Sequence, residues 1–222
     1  MRAVGRSSKP LSTSAGAIQL AVQQGFGIMI NRVSQDGELY YLPGFISQRE
    51  AQLLFERLQT ELVWRGEEIT IAGRRVKVPR LVCWYGDEGA VYRYSGVAHD
   101  PLPWPDILCR LKRMIETVCG RVFNSVLGNL YRDNRDSMGW HADKERELGE
   151  NPYIASLSLG EERLFKVRHN TTGECVDILL ASGSLLLMGG CLQHHWRHCV
   201  PKASEAKAAR INLTFRNIVR PA

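Results

Sequence analysis

Several features that would place this chain in a broad class are missing from its sequence. No apolar run approaches the roughly 20 residues that a membrane-spanning helix needs, so we expect no membrane insertion. The first residues contain no apolar secretory core. The six cysteines include no C-x-x-C pair, and a chain of 222 residues does not need disulfides to bury a core. These absences predict an intracellular protein with reduced thiols, cytoplasmic or, in a eukaryote, nuclear or organellar. We also expect a monomer.

Acidic residues are missing from the first 32 positions, where Arg2, Arg6, Lys9 and Arg32 lie among serine, alanine and glycine residues. This composition predicts a flexible basic arm at residues 1–32, with an organellar transit peptide as the alternative. The whole chain has a formal net charge of +6. An excess of positive charge is compatible with a polyanionic partner such as nucleic acid, but it does not require one.

Residues 33–120 are expected to form an extension with two helices and a hairpin. Ser47 opens a capping box, behind which leucines recur at helical spacing. A second apolar stripe begins after Pro103 and ends at Gly120, which predicts another helix. Between the two helices, residues 68–78 alternate as the two arms of a hairpin do.

From residue 121 the pattern changes to short segments separated by turns that contain glycine, asparagine or proline. The expected strands cover residues 122–131, 138–143, 153–159, 164–169, 175–180, 183–188, 195–199 and 209–218. About eight short strands in a hundred residues predict a jelly roll, or double-stranded β-helix. We therefore expect an α+β, mainly β protein with its jelly-roll core at residues 121–222 of one compact domain.

Two pairs of polar residues within positions 129–145 have the same spacing. His141 and Asp143 are two residues apart, and so are Asn129 and Tyr131. In a strand, residues i and i+2 point to the same side, so each pair can reach one point. A histidine and a carboxylate that converge in this way favour a metal site, although a single H-x-D triplet is a weak signal.

A third metal ligand is expected from a later strand, because a jelly roll brings distant strands together. The candidates are His194, His195 and His198. His194 and His198 could bind zinc from a helix, but no H-E-x-x-H motif is present, and flanking glycines and a proline argue against a helix. Two histidines and a carboxylate on a β scaffold favour the triad of non-haem Fe(II) oxygenases, which leaves room for a 2-oxo acid and O2.

The last expected strand alternates between apolar and polar residues. Its polar residues share one face, and they are Arg210, Asn212, Thr214 and Arg216. Burying two arginines is costly unless an anion lies beside them. A dicarboxylate such as 2-oxoglutarate would satisfy both, since arginine can bind a carboxylate through two parallel hydrogen bonds. The alternative is an exposed amphipathic edge strand.

Together these motifs resemble those of the AlkB family of Fe(II)/2-oxoglutarate-dependent dioxygenases, which repair alkylated nucleobases. The matching motifs are N-x-Y at Asn129, H-x-D at His141, the last histidine of HWRHCVP, and RINLTFR at residues 210–216. The resemblance covers residues 38 to 219. It is closest to the eukaryotic-type branch that acts on double-stranded DNA, through residues 78–87, 92–96 and 140–148.

The resemblance implies a role for each matching residue. His141, Asp143 and His198 would bind Fe(II), which leaves His194 and His195 as structural neighbours. Arg210 would hold the distal carboxylate of 2-oxoglutarate. The other residues of that pocket would be Asn129, Tyr131, Asn212, Thr214 and Arg216.

The resemblance also implies a site for the substrate. Tyr94 and the ring of His141 would enclose a flipped base, and Tyr92 and Glu145 would lie at its polar edge. Arg80 and the basic hairpin would contact the duplex. Relatives of the duplex-DNA branch carry a bulky aromatic wedge at the tip of this hairpin, whereas the corresponding tip here is Ile71-Ala72-Gly73.

The implied activity is oxidative demethylation of 1-methyladenine and 3-methylcytosine in DNA, with release of succinate, CO2 and formaldehyde. The cofactors would be Fe(II) and 2-oxoglutarate, with O2 as co-substrate. One alternative keeps the same chemistry but changes the substrate to RNA, single-stranded DNA or protein. Another is a non-enzymatic β-sandwich that binds nucleic acid and uses its histidines only structurally.

Overall fold

The computed structural model describes residues 29–71, 73–94 and 97–219, with the side chains of residues 69–71, 92–94 and 97–99 excepted. The helices are α1 (Gln48–Glu61), α2 (Asp106–Cys119) and the short α3 (Leu192–His195), and a 3-10 turn covers Arg146–Leu148. The strands are β1 (Glu38–Leu42), β2 (Arg65–Ile71), β3 (Arg74–Gly86), β4 (Tyr92–Tyr94), β5 (Val97–His99), β6 (Ser125–Tyr131), β7 (Met138–His141), β8 (Ile154–Gly160), β9 (Arg163–His169), β10 (Cys175–Leu180), β11 (Ser184–Gly189), β12 (Trp196–Val200) and β13 (Arg210–Arg216).

The described strands form two main antiparallel sheets. The larger has seven strands in the order β1-β11-β8-β13-β6-β3-β2, and the smaller has four in the order β10-β9-β12-β7. β4 and β5 pair separately. Strands far apart in sequence, such as β13 and β6, lie side by side, as they do in a jelly roll. The predicted mainly-β jelly roll with added helices is confirmed.

Two apolar cores lie on the two faces of the larger sheet. One packs the sheet against the helices α1 and α2. The other fills the space between the two sheets, with Phe165 of β9 and Leu186 of β11 among its members. Strand β13 separates them: Ile211, Leu213 and Phe215 are completely buried on the helix side, which leaves its alternate residues facing the smaller sheet.

The local signals for both long helices are confirmed. The side chain of Ser47 accepts a hydrogen bond from the Glu50 amide at the start of α1. Gly120 ends α2 in the left-handed conformation, with a φ of 62°, which a glycine adopts without a steric penalty. Among the described residues, no helix is both long and apolar enough to cross a membrane.

Two elements differ from the sequence expectation. β3 continues beyond the hairpin to Gly86, because its second half pairs along β6 and buries Trp84 and Tyr85. Before His198, a single helical turn occupies α3, where an extended segment was expected. The buried side chain of Leu192 anchors this turn. Strand β12 begins only at Trp196, so His198 is extended as expected, whereas His194 and His195 are helical.

Candidate active site

His141, Asp143 and His198 meet at one point between the sheets. His141 ends β7 and lies directly opposite His198 of β12, while Asp143 follows β7 on irregular backbone. Their potential ligand atoms all lie within 4.8 Å of one another. The two imidazole rings are 4.2 Å apart between centroids. The three residues expected to bind metal are therefore brought together.

Both histidine rings can offer a nitrogen lone pair to a cation. Nδ1 of His141 lies 2.8 Å from the carbonyl oxygen of Gly139, which can only accept a hydrogen bond, so Nδ1 carries the proton and Nε2 offers its lone pair. Burial and the neighbouring His141 lower the pKa of His198 to about 3, so its ring is neutral.

The carboxylate of Asp143 is ionised although it is buried. Burial alone would raise the pKa of this carboxyl, but Arg216 and the two histidines lower it to about 2. Nη2 of Arg216 donates to Oδ2 of Asp143 at 3.0 Å, while Oδ1 lies 3.9 Å from Nε2 of His141. Two imidazole lone pairs and one carboxylate oxygen form a donor set that fits Fe(II).

Arg210 supplies a buried positive charge in the same cavity. Its side chain is 1% exposed, and burial lowers its pKa below the ordinary value. Nη2 donates to Ser158 at 2.9 Å, and the guanidinium lies 5.1 Å from the ring centre of Tyr131. Nε and Nη1 have no hydrogen-bond partner among the described residues. A carboxylate would satisfy these donors, so the pocket fits an anionic co-substrate such as 2-oxoglutarate.

The other expected co-substrate residues line this cavity together with the possible metal ligands: Asn129, Tyr131, Asn212, Thr214 and Arg216. Asn212 donates to Ser156 at 2.7 Å and accepts from Thr214 at 3.0 Å. Asn129 accepts from Nε of Arg80 at 2.7 Å. The strand register explains this grouping, because Asn212 lies opposite Asn129 of β6 on one side and Ser158 of β8 on the other.

Arg80, which was expected to contact the duplex, is buried at the edge of this site. Its side chain is only 3% exposed, and its guanidinium is bonded to Asn129 and to the carbonyl oxygen of Ser137. The burial follows from the position of Arg80 on β3, one strand away from the cavity. Its geometry orients Asn129, and the residue also lines a second cavity together with Glu145, so the contact with the duplex stays a prediction.

A second cavity lies beside the first, and of the remaining expected substrate residues Glu145 lines it, together with His141 and Asp143. Tyr92 and Tyr94 lie two residues apart on β4, and their side chains fall outside the described residues. At the hairpin tip, Gly73 is exposed with a φ of 77°, and Ala72 lies outside the described residues.

Three residues of the site were missed in the sequence. Ser156 and Ser158 alternate with apolar residues in β8, and this period of two was a usable sign that they face the cavity with β13. Gln193 accepts a hydrogen bond from the backbone amide of Asp143. No local pattern marks Gln193, because the two residues are fifty positions apart.

A second cluster of potential ligands consists of Asp36, His169 and His195. Here Nδ1 of His169 accepts hydrogen bonds from the amides of Thr171 and Thr172, at 3.3 and 3.0 Å. The proton is therefore on Nε2, which donates to Asp36 at 3.2 Å. A protonated nitrogen offers no lone pair, so His169 acts as a structural residue.

The chain is similar to proteins of known family. The model of the 2OG-Fe(II) oxygenase superfamily matches residues 38–216. Alpha-ketoglutarate-dependent dioxygenase alkB homolog 3 from Bos taurus is 41% identical over 186 residues, which are 79% of this chain and 64% of that protein. The human protein of the same name is 40% identical over the same shares of both chains. DNA oxidative demethylase ALKBH2 from Bos taurus is 35% identical over 204 residues, or 87% of this chain and 73% of that protein.

Solved structures share the fold at low sequence identity. OsALKBH1 superimposes with a TM-score of 0.58 at 20% identity, covering 81% of this chain and 97% of that one. An oxidoreductase of the 2OG-Fe(II) oxygenase family from Burkholderia pseudomallei superimposes with a TM-score of 0.56 at 16% sequence identity. The superposition covers 95% of this chain and 92% of that one. The chain spans 64% of the length of the alkB homolog 3 proteins from cattle and human. It belongs to the 2OG-Fe(II) oxygenase superfamily and, within it, to the AlkB family.

Proposed function

We propose that this protein is an oxidative demethylase of nucleic-acid bases that depends on Fe(II) and 2-oxoglutarate. One observation carries the proposal. A histidine-aspartate-histidine cluster with free lone pairs shares a cavity with Arg210, whose buried guanidinium has donors without hydrogen-bond partners. A site for a cation and a site for an anion in the same cavity suit a metal ion that is chelated by an oxo acid.

Each residue then has a distinct task. His141, Asp143 and His198 hold the metal, and Arg210 binds the distal carboxylate of 2-oxoglutarate. The pocket is completed by Asn129, Tyr131, Asn212, Thr214 and Arg216. When bound, Fe(II) and 2-oxoglutarate supply the oxidation by O2 that releases an N-methyl group as formaldehyde, together with succinate and CO2. The protein contributes orientation and a cavity between the sheets whose lining residues are largely buried.

The substrate is proposed to be an N-methylated base, such as 1-methyladenine or 3-methylcytosine. A methyl group on the Watson–Crick edge prevents pairing, so less energy is needed to extrude the base. The carboxylate of Glu145 suits the positive charge of these bases. Tyr94 and the ring of His141 would enclose the base, and Tyr92 would lie with Glu145 at its polar edge. The matched relatives that are named DNA oxidative demethylase support DNA as the substrate.

Contacts to the nucleic-acid backbone are assigned to the hairpin of β2 and β3. Arg74, Arg75 and Lys77 are exposed along its second strand, where Arg75 also pairs with Glu68. Phosphate contacts from such residues position a strand without reading its sequence. The tip at Ala72-Gly73 carries no bulky side chain that could fill the gap left by a flipped base. We therefore expect single-stranded substrates to be processed faster than intact duplexes.

The test uses methylated oligonucleotides of one sequence as single-stranded DNA, duplex DNA and RNA. Each is incubated with the protein, Fe(II), 2-oxoglutarate and ascorbate, and the mass of each product is measured. We expect a loss of 14 Da from the methylated DNA, and none with His141→Ala. Binding of all three oligonucleotides without any mass change would contradict the proposal and favour a non-enzymatic binding module.

A further inference from the structure

The backbone of Asp143 lies beyond the last hydrogen bonds of its strand. β7 ends at His141, and residues 142–145 belong to no helix or strand. Asp143 is nevertheless 3% exposed, so its backbone amide requires a partner inside the protein. That partner is the side chain of Gln193, whose Oε1 accepts from the Asp143 amide at 2.9 Å.

Gln193 is itself held firmly. It is 1% exposed on the short helix α3, between the buried anchors Leu192 and Trp196, each also 1% exposed. Its Nε2 faces the sulfur of Met188 at 3.7 Å, so the amide oxygen points to Asp143. Gln193 precedes His198 by five residues. One continuous segment therefore carries both a metal-binding histidine and the contact that fixes the carboxylate.

We propose that Gln193 is a positioning residue that holds Asp143 in the orientation needed for metal binding. This inference rests on the proposed function, since it requires a metal at His141, Asp143 and His198. Arg216 fixes Oδ2 of the carboxylate, and Gln193 fixes the main chain that carries it. Together these contacts leave Oδ1 directed to Nε2 of His141. Outer contacts of this kind orient metal ligands in proteins.

The test measures Mn(II) binding to the 222-residue chain without oxygen, by the decrease of the free Mn(II) signal in electron paramagnetic resonance. Gln193→Met keeps the length of the side chain but removes the acceptor, so the Asp143 amide is left buried and unpaired. We expect an affinity about 10- to 100-fold weaker than that of the wild type. The kcat should fall, whereas KM for 2-oxoglutarate, which Arg210 holds, should stay the same.

Ile178→Val is the matched control, because Ile178 packs in the same core between the sheets as Leu192 but is not among the described residues that line the cavity. We expect it to lower the melting temperature without changing the affinity for Mn(II). An equal loss of Mn(II) affinity in Ile178→Val would overturn the inference, because any loosening of the core would then be enough to weaken metal binding.

If Gln193→Met does not melt cooperatively, Gln193→Asn replaces it. Its amide is one methylene too short, and wild-type affinity in that variant would also overturn the inference.

His141→Ala separates this inference from the function on which it rests. Weak Mn(II) binding in both His141→Ala and Gln193→Met supports both. Weak binding in His141→Ala together with wild-type binding in Gln193→Met overturns the role of Gln193 alone. Wild-type binding in His141→Ala overturns the metal site, and the inference with it.

Discussion

Two clusters of the same composition, each with two histidines and one aspartate, occur in the described part of this molecule. In the first, a carbonyl of the chain accepts from Nδ1 of His141 and leaves Nε2 free to bind a metal. In the second, two amides donate to Nδ1 of His169, and Nε2 carries a proton that it shares with Asp36. The local backbone therefore decides which cluster can coordinate a cation.

The surroundings of the two clusters differ as well. Asp143 is buried beside Arg216, and the cavity continues to the guanidinium of Arg210. The side chain of Asp36 is 44% exposed, and water can screen its interaction with His169. The second cluster instead fixes local structure, since the Asn170 amide also donates to the carbonyl of His195. Two histidines and an aspartate are therefore not enough for this kind of metal site. The histidine nitrogens must also be unprotonated towards the cation, and a pocket for the anionic co-substrate must lie beside them.

The largest expected effect is that of His141→Ala. Removal of a direct ligand should cost more than the roughly 10- to 100-fold typical of an outer contact, so Mn(II) affinity should fall more than about 100-fold and demethylation should stop. His195→Ala is the matched change in the second cluster and should leave both properties intact. The comparison fails if His195→Ala reduces Mn(II) affinity as much as His141→Ala does.

Arg210→Met should weaken the binding of 2-oxoglutarate without destabilising the fold. Loss of one partner of a buried charge pair costs about 2–5 kcal/mol, which corresponds to about 30-fold or more in affinity for 2-oxoglutarate. Without the co-substrate, the same change removes a buried charge and should leave the melting temperature equal or higher. Calorimetric titration and thermal melting test both parts. Unchanged affinity for 2-oxoglutarate would rule out Arg210 as its anchor.

His169→Phe should destabilise the fold without changing metal binding. The variant removes the acceptor of two amides and leaves them unsatisfied beside a buried ring, at a cost of about 1–3 kcal/mol. Urea unfolding measures the loss, and Mn(II) titration provides the second readout. A reduced number of bound Mn(II) ions would show that the second cluster does coordinate metal.

The smallest expected effect is that of Asp36→Asn. The carboxylate is partly exposed, so its loss should change the free energy of unfolding by less than about 1 kcal/mol. The same replacement in the first cluster, Asp143→Asn, should abolish demethylation. Demethylation is measured for both variants in parallel. Equal losses of activity in Asp36→Asn and Asp143→Asn would contradict the difference between the two clusters.

Most of the first cluster could be predicted from the sequence, because its signals are local. The period of two in RINLTFR predicted the buried polar face of β13, and the spacing of His141 and Asp143 predicted a pair of metal ligands. Gln193 and the burial of Arg80 could not be predicted in this way, since each depends on a contact between residues about fifty positions apart. Which ring nitrogen of His169 carries the proton depends on the amides of Thr171 and Thr172, and a pattern of side chains does not predict where backbone amides point.

The most direct test of the central claim is a crystal structure of the protein with Mn(II) and 2-oxoglutarate, with the metal located by its anomalous scattering. We predict a peak between His141, Asp143 and His198, density for the oxo acid reaching Arg210, and no peak at Asp36, His169 and His195. A peak at the second cluster, or none at the first, would contradict the assignment.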